Sequence, residues 1–177
     1  MRHIRVLASA VALVLVVAAT GYGQNMYNKG QNLIHGGIGF GLAGIYGDAT
    51  LPPIVVGYEN GFDEKISIGG IFGYSGSTYG FSGYEWKYSY ILIGARGAYH
   101  FLENNDQFDA YGGVLLGYNI VSVTAPASTI FGYSAQGSYL LFGIYGGGRY
   151  YLNPNLAIFG ELGYGAGFFT VGVAYKL

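Results

Sequence analysis

From residue 33 to the C-terminus the chain alternates, with apolar side chains on one parity and almost every charge on the other. In residues 91 to 101, Ile91, Ile93, Ala95, Tyr99 and Phe101 share one parity, whereas Arg96 and His100 take the other. The last segment repeats the pattern, with Phe169, Val171, Val173, Tyr175 and Leu177 against Thr170, Gly172, Ala174 and Lys176. Because successive side chains on a strand point to opposite faces, such a segment has one greasy face and one polar, small-residue face. An apolar exterior around a polar, glycine-rich interior is the signature of a transmembrane β-barrel.

Turn signals divide the region into eight segments: residues 33 to 47, 53 to 60, 65 to 75, 88 to 102, 108 to 121, 138 to 152, 155 to 165 and 168 to 177. Short connections at residues 61 to 64, 103 to 107 and 153 to 154 alternate with longer ones at 48 to 52, 76 to 87 and 122 to 137. This predicts an all-β, eight-stranded, antiparallel up-and-down barrel with periplasmic turns and extracellular loops. The turn near Gly165, Ala166 and Gly167 should be extracellular but is tight. The outward row contains Ile38, Phe40, Leu42, Ile54, Val56, Ile66, Ile68, Phe72, Val114, Leu116, Leu140, Phe142, Ile144, Ile158 and Leu162, without a charge. Aromatic residues on that face gather at its ends, Tyr46, Tyr74, Tyr118 and Tyr164 at the loop rim and Tyr58, Tyr99, Phe101, Phe108, Tyr150 and Tyr175 at the turn rim. Two such bands are the girdles expected at the two membrane interfaces.

Composition narrows the class further. Charged residues make up 10% of the chain, against about 25% in ordinary soluble domains, and a net charge of -1 leaves no basic footprint for nucleic acid. Thirty-three glycines disfavour helices. The N-terminus is the exception to the alternating pattern: Arg2, His3 and Arg5 precede an apolar run from Val6 to Ala19, which is too short to span a bilayer as a helix. It predicts a secretory signal peptide over residues 1 to 23 and a single barrel domain over 24 to 177. The absence of cysteine excludes a disulfide framework and a lipidated cysteine anchor.

Several stretches resemble the small eight-stranded outer-membrane β-barrel family, of the OmpX and OmpA-barrel type and especially its Bacteroidetes versions. They are Pro53 to Glu59, Ile66 to Gly70, Gly94 to Phe101, Tyr111 to Tyr118 and Glu161 to Gly165. The tail Val171 to Leu177 is similar to the C-terminal signal read by the barrel-insertion machinery, although it ends in Leu177 rather than an aromatic residue. The resemblance implies residence in the outer membrane of a Gram-negative bacterium, contact with outer-membrane lipid and monomeric folding, and no shared enzymatic activity.

The inward ionisable residues are Glu59, Arg96, Asp109, Arg149, Glu161 and Lys176, with His35 and His100. Glu59, Arg96, His100, Asp109, Arg149 and Glu161 form the expected lumenal ionic network, with His100 opposite Asp109 and Arg149 a near-diagonal neighbour of Glu161. An unpaired charge inside a narrow barrel is strongly unfavourable, so the network is expected to pair and plug the lumen. A narrow channel for ions or small solutes is the first alternative.

Lipid A chemistry, carried out by some barrels of this kind, is a second alternative. It needs a base near the outer leaflet, whereas His35 and His100 map to the periplasmic ends. Gly39 to Gly44 matches GxGxxG but lies inside an alternating strand, where no nucleotide-binding turn forms. No HExxH motif and no acidic loop cluster suggests a metal, and no cofactor is expected. Tyr84, Trp86, Phe131 and Tyr133 lie in the two longest loops, where aromatic side chains offer an extracellular contact surface of unidentified partner.

Overall fold

The computed structural model describes residues 27–41, 48–81, 84–102, 107–124, 134–165 and 167–177. The signal segment, Leu42, Tyr46, Phe131, Tyr133 and the turn at Asn104 and Asn105 lie outside the described residues.

Eight strands form one closed barrel in chain order, each antiparallel to its neighbours, and β8 pairs back onto β1. They are β1 (Asn32–Phe40), β2 (Asp48–Gly61), β3 (Ile66–Phe81), β4 (Tyr84–His100), β5 (Phe108–Thr124), β6 (Ser134–Tyr151), β7 (Leu156–Gly163) and β8 (Phe169–Lys176). The parity expected from the sequence holds throughout. Val56, Val114, Phe142, Ile144 and Leu162 are exposed on the outer wall, while Val55, Leu115, Leu141 and Phe159 are buried in the lumen. A wall of this kind is stable only against lipid, since water would be in contact with a continuous apolar band.

Strand length is where sequence and structure part. β3 to β6 run for 16 to 18 residues, whereas a tilted crossing needs about 9 to 11. β1, β7 and β8 have only 9, 8 and 8 residues. The surplus amounts to about 20 Å of strand at roughly 3.3 Å per residue, which the tilt turns into a rise of about 15 Å past the extracellular interface. The expected long loops are therefore corrected. Residues 48 to 52 belong to β2, most of 76 to 87 is a continuous β3–β4 ladder with Trp86 paired to Tyr79 and Tyr84 to Phe81, and 122–124 and 134–137 extend β5 and β6. Serine, glycine and threonine there signal a turn when read locally. In place, the backbone groups that face a neighbouring strand are satisfied by its ladder, so these polar residues continue the sheet rather than end it.

Candidate functional site

The lumen is filled in layers, and each layer draws on strands far apart in sequence. At its centre Val55, Ile71, Leu92, Leu115 and Leu141, one from each of β2 to β6, form an apolar cluster on that side of the bore, and a small half-open cavity lies between Ile71 and Leu115 and the Arg96–Glu161 pair. Toward the periplasm, Leu33, Tyr151, Ala157, Phe159 and Ala174 fill the flank contributed by β1, β6, β7 and β8. The charges lie beside this second cluster and below the first.

All six residues of the expected network meet here, in two linked groups. In the lower group Arg149 spans the lumen from β6 to β2, donating from Nη2 to Glu59 Oε2 at 2.6 Å and from Nη1 to Glu59 Oε1 at 2.9 Å. Its Nη1 also reaches Asp109 Oδ2 at 3.3 Å. Asp109 Oδ1 lies 2.7 Å from His100 Nδ1, and His100 Nε2 lies 3.0 Å from Ser67 Oγ. In the upper group Arg96 Nη2 donates to Glu161 Oε1 at 2.7 Å, and Arg96 Nη1 lies 3.2 Å from His35 Nε2. Tyr111 joins the two, donating to Glu161 Oε1 at 2.8 Å while its ring lies 4.3 Å from the Arg149 guanidinium carbon. The Arg96 guanidinium similarly packs 4.0 Å from the centre of the Tyr145 ring.

The register differs from the expected one at His100, which stands opposite Tyr111, not Asp109, because the β4–β5 register is offset by one inward position. Its bond to Asp109 is diagonal. Arg149 stands opposite Phe159 and Gly147 opposite Glu161, so Arg149 is the diagonal neighbour of Glu161 that the sequence indicates, but its guanidinium turns across the barrel to Glu59 while Arg96 takes Glu161. A long guanidinium reaching over a narrow bore gains a two-pronged contact that its near neighbour does not offer.

Close packing around these groups explains part of the glycine content. A Cβ on Gly57 would overlap the His35 imidazole, and one on Gly113 would meet the Tyr145 hydroxyl at 2.6 Å. Small residues on the wall make room for large polar side chains in the bore.

Two participants were not apparent in the sequence. Ser67 is a short polar residue on an inward position, and nothing local separates it from other small lumenal residues. Tyr27 precedes the first strand, yet its ring stacks on His100 at 3.6 Å and its hydroxyl donates to the Asp63 carbonyl at 3.0 Å. Gly30 and Gln31 hold this segment against Gly61 by backbone hydrogen bonds, and Lys29 pairs with Asp63 at 3.5 Å. Residues 27–31 thus run along the end of the barrel, and Tyr27 covers His100 from the periplasmic side. Burial, with the nearby Glu59 and Asp109 carboxylates, raises the Tyr27 phenol well above its ordinary range.

Ser67, His100 and Asp109 stand in the order of a hydrolase triad. All three are buried, Tyr27 covers the imidazole, and the surrounding backbone N–H groups of β3 and β4 belong to the sheet ladder, which leaves none to stabilise an oxyanion. The constellation is tied through Asp109 to Arg149 and Glu59 in the same buried layer. Among the described residues no group of histidines and carboxylates is arranged to hold a metal ion.

No protein-family model matches the chain, and no curated protein sequence matches it. Solved structures do. The chain is similar to Ail, the attachment invasion locus protein of Yersinia pestis, with a TM-score of 0.55 at 16% identity over 84% of this chain and 99% of that one. It is similar to the N-terminal β-barrel domain of OprF from Pseudomonas aeruginosa, with a TM-score of 0.57 at 14% identity over 85% of this chain and 100% of that one. A de novo designed transmembrane β-barrel gives a TM-score of 0.50 at 16% identity, covering 88% of this chain and 100% of that one. The fold is that of the small outer-membrane β-barrels.

Of the expected contact residues, Tyr84 and Trp86 are placed on β4 within the protruding sheet. Among the described residues that sheet ends in two unequal edges. β6 pairs with β5 along its whole length but with β7 only from Tyr145 onward. β2 pairs with β3 up to Asp48 but with β1 only as far as Ile54. The β2 edge carries Asp48, Pro52 and Pro53, which repel or fail to bond an incoming strand. The upper β6 edge, through Ala135, Gln136, Gly137 and Ser138, has neither charge nor proline.

Proposed function

We propose that the chain is a monomeric outer-membrane protein of a Gram-negative bacterium whose lumen is a structural plug and whose function is exercised outside, by the protruding sheet as a contact surface for an extracellular partner. Support comes first from the asymmetry of the two sheet edges. A strand edge left unguarded, beside one blunted by proline and aspartate, is suited to receive an extended segment of a partner chain by main-chain hydrogen bonding. The similar fold of Ail, named for attachment and invasion, accords with a surface role.

A catalytic role has no support in the lumen, and conduction is opposed by the apolar cluster stacked on paired charges. The strand β8, closing on β1 and ending at Leu177, is the segment proposed to engage the barrel-insertion machinery.

The test is adhesion of cells displaying the protein to surfaces coated with extracellular-matrix proteins, with and without Gln136→Lys plus Ser138→Lys. Charges on that edge should abolish adhesion while the barrel stays folded, and unchanged adhesion would refute the role of the edge. Planar-bilayer recording should show a silent membrane. Steady conductance sensitive to Arg96 or Glu161 substitution would replace the plug with a channel.

A further inference from the structure

The outer face of the protruding sheet is laid out in cross-strand rows. The lowest, Ile54, Tyr74, Ile91 and Ile120, continues the lipid-facing band. Above it come Leu51, Gly76, Ser89 and Ser122, and then Asp48, Thr78, Lys87 and Thr124. Gly76 and Ser89 therefore thin the side-chain cover between Tyr74 and Ile91 below and Thr78 and Lys87 above, with Gly76 buried at the bottom of the gap. Register shifts in β2 on either side of Leu51 bring Thr50 and Leu51 beside the gap, so that a Cβ on Gly76 would meet Thr50 Oγ1 at 3.3 Å and Leu51 Cβ at 3.6 Å. The result is a half-open hollow of about 390 Å³ bordered by Thr50, Tyr74, Thr78, Glu85, Lys87 and Thr124. That volume lies within the range of small-ligand sites, roughly 300 to 1,000 Å³.

We propose that this hollow binds a carbohydrate. Threonine and serine hydroxyls both donate and accept, as sugar hydroxyls do, and Glu85 with Lys87 supplies a charged acceptor and a charged donor for a vicinal diol. Tyr74, 40% exposed at the lower rim, presents an amphipathic ring against which the apolar face of a pyranose packs. One cation beside one anion is a poor match for a phosphate, which calls for a cluster of basic groups. The hollow opens just above the aromatic girdle, the height at which glycolipid headgroups stand. A glycan carried by a soluble or cellular partner has the same chemistry.

The test uses the protein in two bilayer nanodiscs, one of phosphatidylcholine and one with lipopolysaccharide added, each titrated with methyl glucoside, methyl galactoside and methyl N-acetylglucosaminide while backbone amide resonances are followed. At least one glycoside should give saturable shifts centred on Gly76, Ser89 and Lys87 in the phosphatidylcholine disc. Lys87→Ala should weaken that binding by about tenfold, and Gly76→Leu, which fills the hollow, should abolish it. If lipopolysaccharide itself shifts those resonances and blocks the glycoside, the occupant is the membrane's glycolipid; if the glycoside binds equally in both discs, it is a partner-borne or soluble glycan. Absence of any saturable shift with glycoside or lipopolysaccharide, or binding indifferent to both substitutions, would overturn the proposal. The β6 edge takes no part in this experiment, so failure here and failure of the edge variant are separate results.

Discussion

Two halves of one sheet obey different rules. Within the membrane, every strand has a buried face, and that face is crowded: Arg149 is 1% exposed and is bonded across the bore. Beyond the membrane, β2 to β6 continue as a sheet in which Ser77 is still buried on one face, whereas Gln136, Gly137 and Ser138 at the β6 edge are all exposed. The lower half is held by packing and by buried charge pairs that must remain matched. The upper half is held by backbone ladder and small cross-strand contacts such as Tyr118 with Ser138, and its exposed side chains face other molecules. Stability and recognition are thereby assigned to different stretches of the same strands.

The sharpest way to break the comparison is to remove one partner of a buried pair. Glu59→Ala should destabilise the barrel by about 3 to 5 kcal/mol, because it strands Arg149 in the lumen. Glu59→Leu combined with Arg149→Met should recover most of that loss, and urea unfolding in lipid vesicles measures both. Leu115→Ala, which opens a cavity in the apolar cluster, should cost about 2 to 5 kcal/mol in the same assay. Gly57→Ala forces a Cβ into the His35 ring and should cost about 1 to 3 kcal/mol.

The protruding half should respond weakly. Tyr79→Ala removes the cross-strand partner of Trp86 and should cost only about 0.2 to 1 kcal/mol. An effect as large as that of Leu115→Ala would mean that the two halves are not energetically separate.

The smallest effect expected is at the periplasmic turn. The Glu64 backbone N–H, followed by Lys29, holds the Asp63 carboxyl below its ordinary range. A depressed folded value means that the stabilisation is present above the unfolded carboxylate pKa and is lost as pH falls through the folded one. The protection factor of the Glu64 amide, its exchange rate measured against the intrinsic rate at each pH, should therefore fall in acid, and Asp63→Asn should flatten that dependence.

The barrel itself was legible because alternation is a local property. Ile91 and Arg96 differ in parity, parity decides face, and a face that must be apolar over eight segments leaves one architecture. The members of the ionic layer were legible for the same reason, as inward charges. Their partners were not. Whether Arg149 turns to Glu161 beside it or to Glu59 across the bore depends on β4–β5 and β6–β7 register and on barrel diameter, neither of which is encoded within a single strand. Tyr27 was invisible because it lies outside the alternating region and is placed only by what the closed barrel leaves uncovered.

Sequence alone settled the strand count, the lipid-facing surface and the set of charges turned inward, because each follows from a period of two read against a membrane. Tertiary structure alone decided which charges pair, how far the sheet rises above the lipid and which edge is left open. Those outcomes depend on contacts between residues far apart in the chain, 90 positions for Arg149 and Glu59, where local pattern carries no information and only closure of the barrel brings the groups together.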